Sequence, residues 1–230
     1  EAAKYPNLYF GASINPHRPD ALERLQWAGD NGALLVKWLP SVQFIDPADP
    51  GHEPFYRKMV ALNLPLLTHA GRERSFIHAR DELADPVRLK LPLSLGVTVI
   101  AAHAASTGKN EGQEDIDRLI EMLDDYPNLY TDISSMTQVN KLGYLRQAIT
   151  EKRLEGRLLY GSDFPLINTA AVTPWAYPLN LTRKQMQSIS AIGNPWDRDV
   201  ALKEALGVPA DIMGRPAAFF GVPLGQATAD

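Results

Sequence analysis

Three residue types that can share chemistry stand at the ends of apolar runs. His69 closes Leu64-Pro-Leu-Leu-Thr-His69, His103 closes Val97-Thr-Val-Ile-Ala-Ala-His103, and Asp163 ends Leu158-Leu-Tyr-Gly-Ser-Asp163 just before Phe164-Pro165. Short apolar runs that stop at Gly or Pro read as buried strands, and α/β proteins do chemistry at the C-terminal lip of such strands. Two imidazoles and a carboxylate aimed at one mouth form a set that can bind a divalent cation and move protons. Each residue alone has a plainer reading: a strand-end histidine can be a hydrogen-bonded core residue, and an aspartate there can cap the next loop.

Composition narrows the chemistry. The chain has 230 residues and no cysteine, which removes a disulfide scaffold, a thiolate metal site and a cysteine nucleophile together. Any metal must then be held by His, Asp, Glu or a modified Lys. A net charge of −4 with interspersed acids and bases gives no basic stripe, so nucleic acid is not an expected partner. No stretch approaches the roughly 20 apolar residues that span a bilayer, so no membrane is expected. The start lacks the pattern of a cleaved signal, and the expected compartment is the cytoplasm. The chain opens with Glu1-Ala-Ala-Lys4, which reads as the end of a helix before a Tyr5-Pro-Asn turn; upstream sequence is therefore expected.

The elements that must position the three residues repeat as strand, turn, helix. Leu8 to Ile14 and Ala33 to Leu39 read as strands before those ending at His69 and His103, and Leu129 to Ile133 as one more before the strand that leads to Asp163. Helices are expected over Arg18 to Ala28, Phe55 to Leu62, Pro86 to Leu95 despite Pro92, and Glu114 to Tyr126, where Ile116, Leu119, Ile120 and Leu123 share a face. Further helices are expected near Val139 to Lys152, Arg183 to Ile192, Arg198 to Leu206 and Asp211 to Phe220. The polar stretch from Arg72 to Ala84 is too long for a tight turn and is a candidate active-site loop. Six strands recurring at roughly 26 to 33 residues suit the βα units of a parallel barrel. A doubly wound sheet would show the same alternation, but no glycine-rich phosphate loop follows the first strand.

These residues resemble the amidohydrolase superfamily of metal-dependent TIM-barrel enzymes, in particular the amidohydrolase-2 group of hydrolases and decarboxylases. The likeness runs through Ser13-Ile-Asn-Pro16, Val36-Lys37, Leu64-Pro-Leu-Leu-Thr-His-Ala-Gly71, Ile100-Ala-Ala-His103, Leu129-Tyr-Thr-Asp132, Tyr160-Gly-Ser-Asp-Phe-Pro165 and Gly214-Arg-Pro-Ala-Ala-Phe-Phe-Gly221. The resemblance implies an α/β fold, a (β/α)8 TIM barrel lacking its first two strands. It implies one domain over residues 1–222, and the small, polar residues 223–230 read as a flexible tail. It also implies that His69 ligates a divalent metal, most simply zinc, and that His103 ligates it or contacts substrate. Asp163 would touch both the metal and its water. The family's first strand carries a His-X-His pair that this sequence does not contain. The expected explanation is a piece of a longer enzyme, and the alternative is a naturally shortened, metal-free relative.

On this reading the chain is a metal-dependent hydrolase that attacks an amide, lactone or similar carbonyl with a metal-activated water, taking His103 and Asp163 as catalytic residues. The same residues would serve non-oxidative decarboxylation of an aromatic or unsaturated acid, and a non-catalytic binding protein is the rival from another class. The partners implied are a small-molecule substrate and, as is common in the family, a second copy in a homodimer. Arg72, with Arg74, is a candidate clamp for a substrate carboxylate. Lys37 reads as a buried polar or substrate-facing residue. Trp38 and Phe44 read as packing residues, and His17, His52 and His78 as surface residues. Asp132 reads as a support of the site, and Asp115 and Asp117 as the polar side of a helix.

Overall fold

The computed structural model describes residues 2–72 and 79–223. Arg74, His78 and the tail from Leu224 onward lie outside the described residues. The strands are β1 (Phe10–Ala12), β2 (Ala33–Trp38), β3 (Leu66–His69), β4 (Val99–Ala102), β5 (Lys109–Asn110), β6 (Gln113–Glu114), β7 (Leu129–Asp132) and β8 (Leu158–Leu159). The α-helices are α1 (Ala21–Asp30), α2 (Pro40–Gln43), α3 (Glu53–Ala61), α4 (Lys90–Ser94), α5 (Asp115–Met122), α6 (Tyr144–Thr150), α7 (Arg183–Ser190), α8 (Pro195–Ala205) and α9 (Ala210–Phe220). The architecture is mixed α/β on a six-stranded sheet in the order β1-β2-β3-β4-β7-β8, with β5 and β6 forming a separate antiparallel ribbon. Neighbouring strands from β1 through β7 pair in parallel. Two compact units are present: unit 1 runs to Thr131, and unit 2 from Asp132.

Unit 1 has the cross-section that a parallel sheet requires, because crossover helices leave neither face to water. All four residues of β4 are buried, and so are Val36, Trp38 and Leu66. Helix α1 buries Ala21, Leu25 and Ala28, α3 buries Phe55, Tyr56 and Met59, and α5 buries Ile116, Leu119 and Ile120, the i, i+3, i+4 stripe of a helix laid on a sheet. The segment Pro86 to Leu95 splits into a 3-10 turn, Pro86–Leu89, and α4, which holds Pro92 inside its short span. In unit 2, Thr182 and Gln185 form a capping box at the start of α7. Asn194 caps α8 by accepting from Trp196 N at 2.9 Å. Both satisfy donors that a helix start leaves open.

Three sequence expectations need correction. Phe44 is 54% exposed rather than packed: its φ of 55° ends α2 in the left-handed region, and the next residue, Ile45, takes the buried place instead. Asp115 is buried rather than solvated: its carboxylate accepts from Asn110 Nδ2 at 2.8 Å, and burial pushes its pKa up. His52 is also buried, at 4% exposure, with its ring centre 4.8 Å from that of His17 and 6.3 Å from that of Trp38.

His52 Nε2 has no hydrogen-bond partner among the described residues. Burial, the largest influence, pushes the His52 pKa down, with Asp49 and Asp46 opposing it. The unfolded chain therefore takes up a proton near the ordinary histidine value of about 6.5, and the folded chain only at lower pH. Stability is fully present above that ordinary value and falls as pH drops toward the lowered folded value. Urea melts at pH 7.5, 6.5 and 5.5 are expected to show this decline, and His52→Phe to flatten it.

Candidate functional site

In unit 1 the site begins with strand register. His69, the last residue of β3, pairs with Ala102, the last residue of β4, so His103 emerges beside it. The two imidazole centres lie 5.3 Å apart with ring planes at 65°, and each residue is 7% exposed. At His103 the backbone leaves its strand in a left-handed turn: φ is 59° at His103, 46° at Ala104 and 50° at Ala105. Ser106 N closes the turn on His103 O at 2.9 Å. Three successive side-chain-bearing residues in this region cost about 1–3 kcal/mol each unless their surroundings hold them there, and such strain gathers at functional sites.

The loops after the two histidines hold one another. Arg72 N donates to Thr107 O at 2.6 Å, and Thr107 Oγ1 donates back to Arg72 O at 2.9 Å. Gly71, with φ 84°, fits because a Cβ there would meet Thr107 O at 2.4 Å. Gly71→Ala combines that collision with a left-handed backbone. It is expected to destabilise unit 1 by about 2 kcal/mol or more, read as a lower urea midpoint. The guanidinium of Arg72, the candidate clamp, pairs with Asp81 at 3.1 Å, and its side chain is 60% exposed, so solvent weakens that pair. Lys37 is half-buried in the middle of β2, in register with Leu67.

In unit 2, Asp163 follows β8 with φ 63° and precedes the cis Phe164–Pro165 bond. Its carbonyl accepts from Leu166 N at 2.9 Å, and the residue is half-buried. Behind the turn, Asp132 is buried and its Oδ1 accepts from Ser134 N at 3.0 Å and from the Ser134 hydroxyl. Gly161 lies hard against this corner, since a Cβ on it would stand 3.0 Å from Ser134 Cβ and 3.6 Å from Asp132 Cγ. Sequence reading missed a second charged group here. Lys203 and Asp199 on α8 are buried and joined at 2.7 Å. Their Asp-X-X-X-Lys spacing is the only sequence signal, and it usually marks a solvated helix face.

Among the described residues, no group of three or more His, Asp or Glu side chains is placed to hold a metal ion. The His69–His103 pair fits a divalent metal in donor type, neutral imidazole being a good zinc ligand, and it supplies two of the usual four donors. Likewise among the described residues, no helix is long and apolar enough to cross a membrane.

Imidazoles at the C-terminal ends of adjacent parallel strands stand where α/β barrel enzymes build their sites. The family model for amidohydrolases matches residues 1–193, and the chain belongs to that family. No curated protein matches the sequence. Among solved structures, a provisionally named 2-pyrone-4,6-dicarboxylic acid hydrolase from Pseudomonas putida is similar, with TM-score 0.62 and 18% identity over 96% of this chain and 75% of that one. An uncharacterized TIM-barrel protein from Bordetella bronchiseptica gives 0.57 and 18% over 88% and 70%. The apo form of Metarhizium anisopliae IDCase gives 0.50 and 14% over 95% and 65%. At these identities the likeness is one of fold.

Proposed function

We propose that the chain carries the working end of a metal-dependent hydrolase that cleaves an amide, lactone or similar carbonyl bond. The observation that carries this reading is the imidazole pair, His69 and His103, set 5.3 Å apart at the ends of two neighbouring parallel strands in a chain of the amidohydrolase family. A divalent metal, zinc in the simplest case, supplies Lewis acidity at neutral pH. His69 offers it a neutral imidazole. His103, fixed by its left-handed turn, would supply the second imidazole donor beside the carbonyl oxygen on which charge grows as the carbon becomes tetrahedral. Asp163 accepts the proton of the attacking water and returns it to the leaving group.

Metal analysis of the purified protein, followed by zinc titration against a chromophoric chelator, tests the reading. His69→Ala and His103→Ala are each expected to weaken zinc binding by more than about 100-fold, since losing even a supporting partner of a ligand costs about 10–100-fold. A wild-type protein without zinc affinity, or a double variant that keeps it, would overturn the assignment. A screen over esters, lactones, amides and unsaturated acids then identifies the reaction.

A further inference from the structure

Helix α8 starts at Pro195, just beyond the residues 1–193 that match the family, and brings the Lys203–Asp199 pair into the interior of unit 2. Lys203 Nζ donates to Asp199 Oδ2 at 2.7 Å and to the Gly161 carbonyl at 2.8 Å, and lies 4.8 Å from the centre of the Tyr160 ring. The Tyr160 hydroxyl donates to the same Asp199 oxygen at 2.9 Å, and Thr137 Oγ1 reaches the other at 3.4 Å. Every charge and dipole in this group is answered by another member of it. Burying an ammonium is costly even when it is paired, and an apolar side chain of the same length would fill the space without that cost.

What the ammonium does that a methyl group would not is grip one carbonyl. Gly161 stands two residues before Asp163, whose φ of 63° lies in the left-handed region, a conformation open to aspartate but only one of those it can adopt, so a fixed neighbour selects it. The Gly161 Cα also lies close to Ser134 and Asp132, where a Cβ would stand 3.0 Å from Ser134 Cβ and fit only if that side chain gave way by a few tenths of an ångström. Burial, the largest influence, lowers the Lys203 pKa, and Asp199 first and then the carboxylates of Asp132 and Asp163 oppose it.

We infer that Lys203 is a positioning residue: held by Asp199, its ammonium fastens the Gly161 carbonyl and thereby fixes the left-handed turn that presents Asp163. The inference rests on the reading of Asp163 as the carboxylate of the site, yet the turn it concerns belongs to the metal-free chain. It is tested by NMR on the metal-free protein, comparing wild type with the double variant Lys203→Met/Asp199→Asn. The amide introduced by Asp199→Asn keeps an acceptor for Tyr160, and no buried charge is left alone.

The Asp163 13Cα and carbonyl shifts are expected to move from left-handed values toward an average that includes extended backbone. The methyl shifts of Met186, Ile189 and Leu202, in the apolar core of unit 2, are expected to stay. Unchanged Asp163 shifts overturn the inference. So do core methyls that move as much as Asp163, because a merely structural role would spread in that way. If the double variant does not fold, wild type carries the test: a hydrogen-bond coupling between Lys203 15Nζ and the Gly161 carbonyl carbon supports the inference, and its absence overturns it. Zinc titration of the same proteins separates the two readings. About tenfold weaker binding is expected in the double variant, whereas a wild type that binds no zinc removes the metal reading and leaves the NMR result to decide the role of Lys203.

Discussion

Asp163→Asn is expected to lower turnover by about 10²–10⁴, the usual worth of a positioned proton acceptor, with little change in stability. Asparagine has the shape of aspartate and is among the few residues that accept a left-handed backbone readily, so φ 63° is no obstacle to folding. What it lacks is a site for the proton released by the attacking water. The change should therefore appear in kcat and kcat/KM together, with KM nearly constant. Steady-state kinetics on the substrate found by screening, beside a thermal melt, would check both halves. Normal turnover in a folded Asp163→Asn protein would end the assignment of Asp163.

The largest stability effect is expected at Asp199. Asp199→Leu strands the Lys203 ammonium in an interior where both side chains are 0% exposed, and it takes away the acceptor that Tyr160 and Thr137 use. Breaking a buried pair from one side costs about 3–5 kcal/mol. Adding Lys203→Met in the same chain is expected to restore much of that loss, because no lone charge then remains inside. Urea denaturation of wild type, single and double variants measures the cycle. A single variant within about 1 kcal/mol of wild type would mean that the pair behaves as if it were at the surface.

The parts of the fold that were legible in the sequence are those with a period and a stop. Val97 to Ala102 is apolar but for Thr98 and runs into a histidine, so both the strand and its lip could be read, and the observed β4 lies inside it. The strand before Asp163 was legible as an element, although only Leu158–Leu159 holds ladder geometry. The residues misread are those whose environment is made by distant parts of the chain. His52 sits in a loop sequence, and it is enclosed by the rings of His17, Trp38 and Tyr56. Asp115 reads as the first turn of an amphipathic helix, and Asn110 arrives over it from the β5–β6 ribbon. Asp199 and Lys203 carry an ordinary i, i+4 spacing, and nothing local says that this face of α8 turns inward.

The paired bonds between Arg72 and Thr107 bear on how substrate preference could be re-engineered. Each residue gives and receives one bond, so the chain segments that follow the two histidines are a single cassette rather than two replaceable parts. A graft of the 72–84 segment alone would leave Thr107 with a carbonyl and a hydroxyl addressed to a stranger, and the mismatch would fall within a few residues of both imidazoles. Libraries that exchange the two segments together, from the same donor protein, keep the seam intact and leave the histidines where the strands put them.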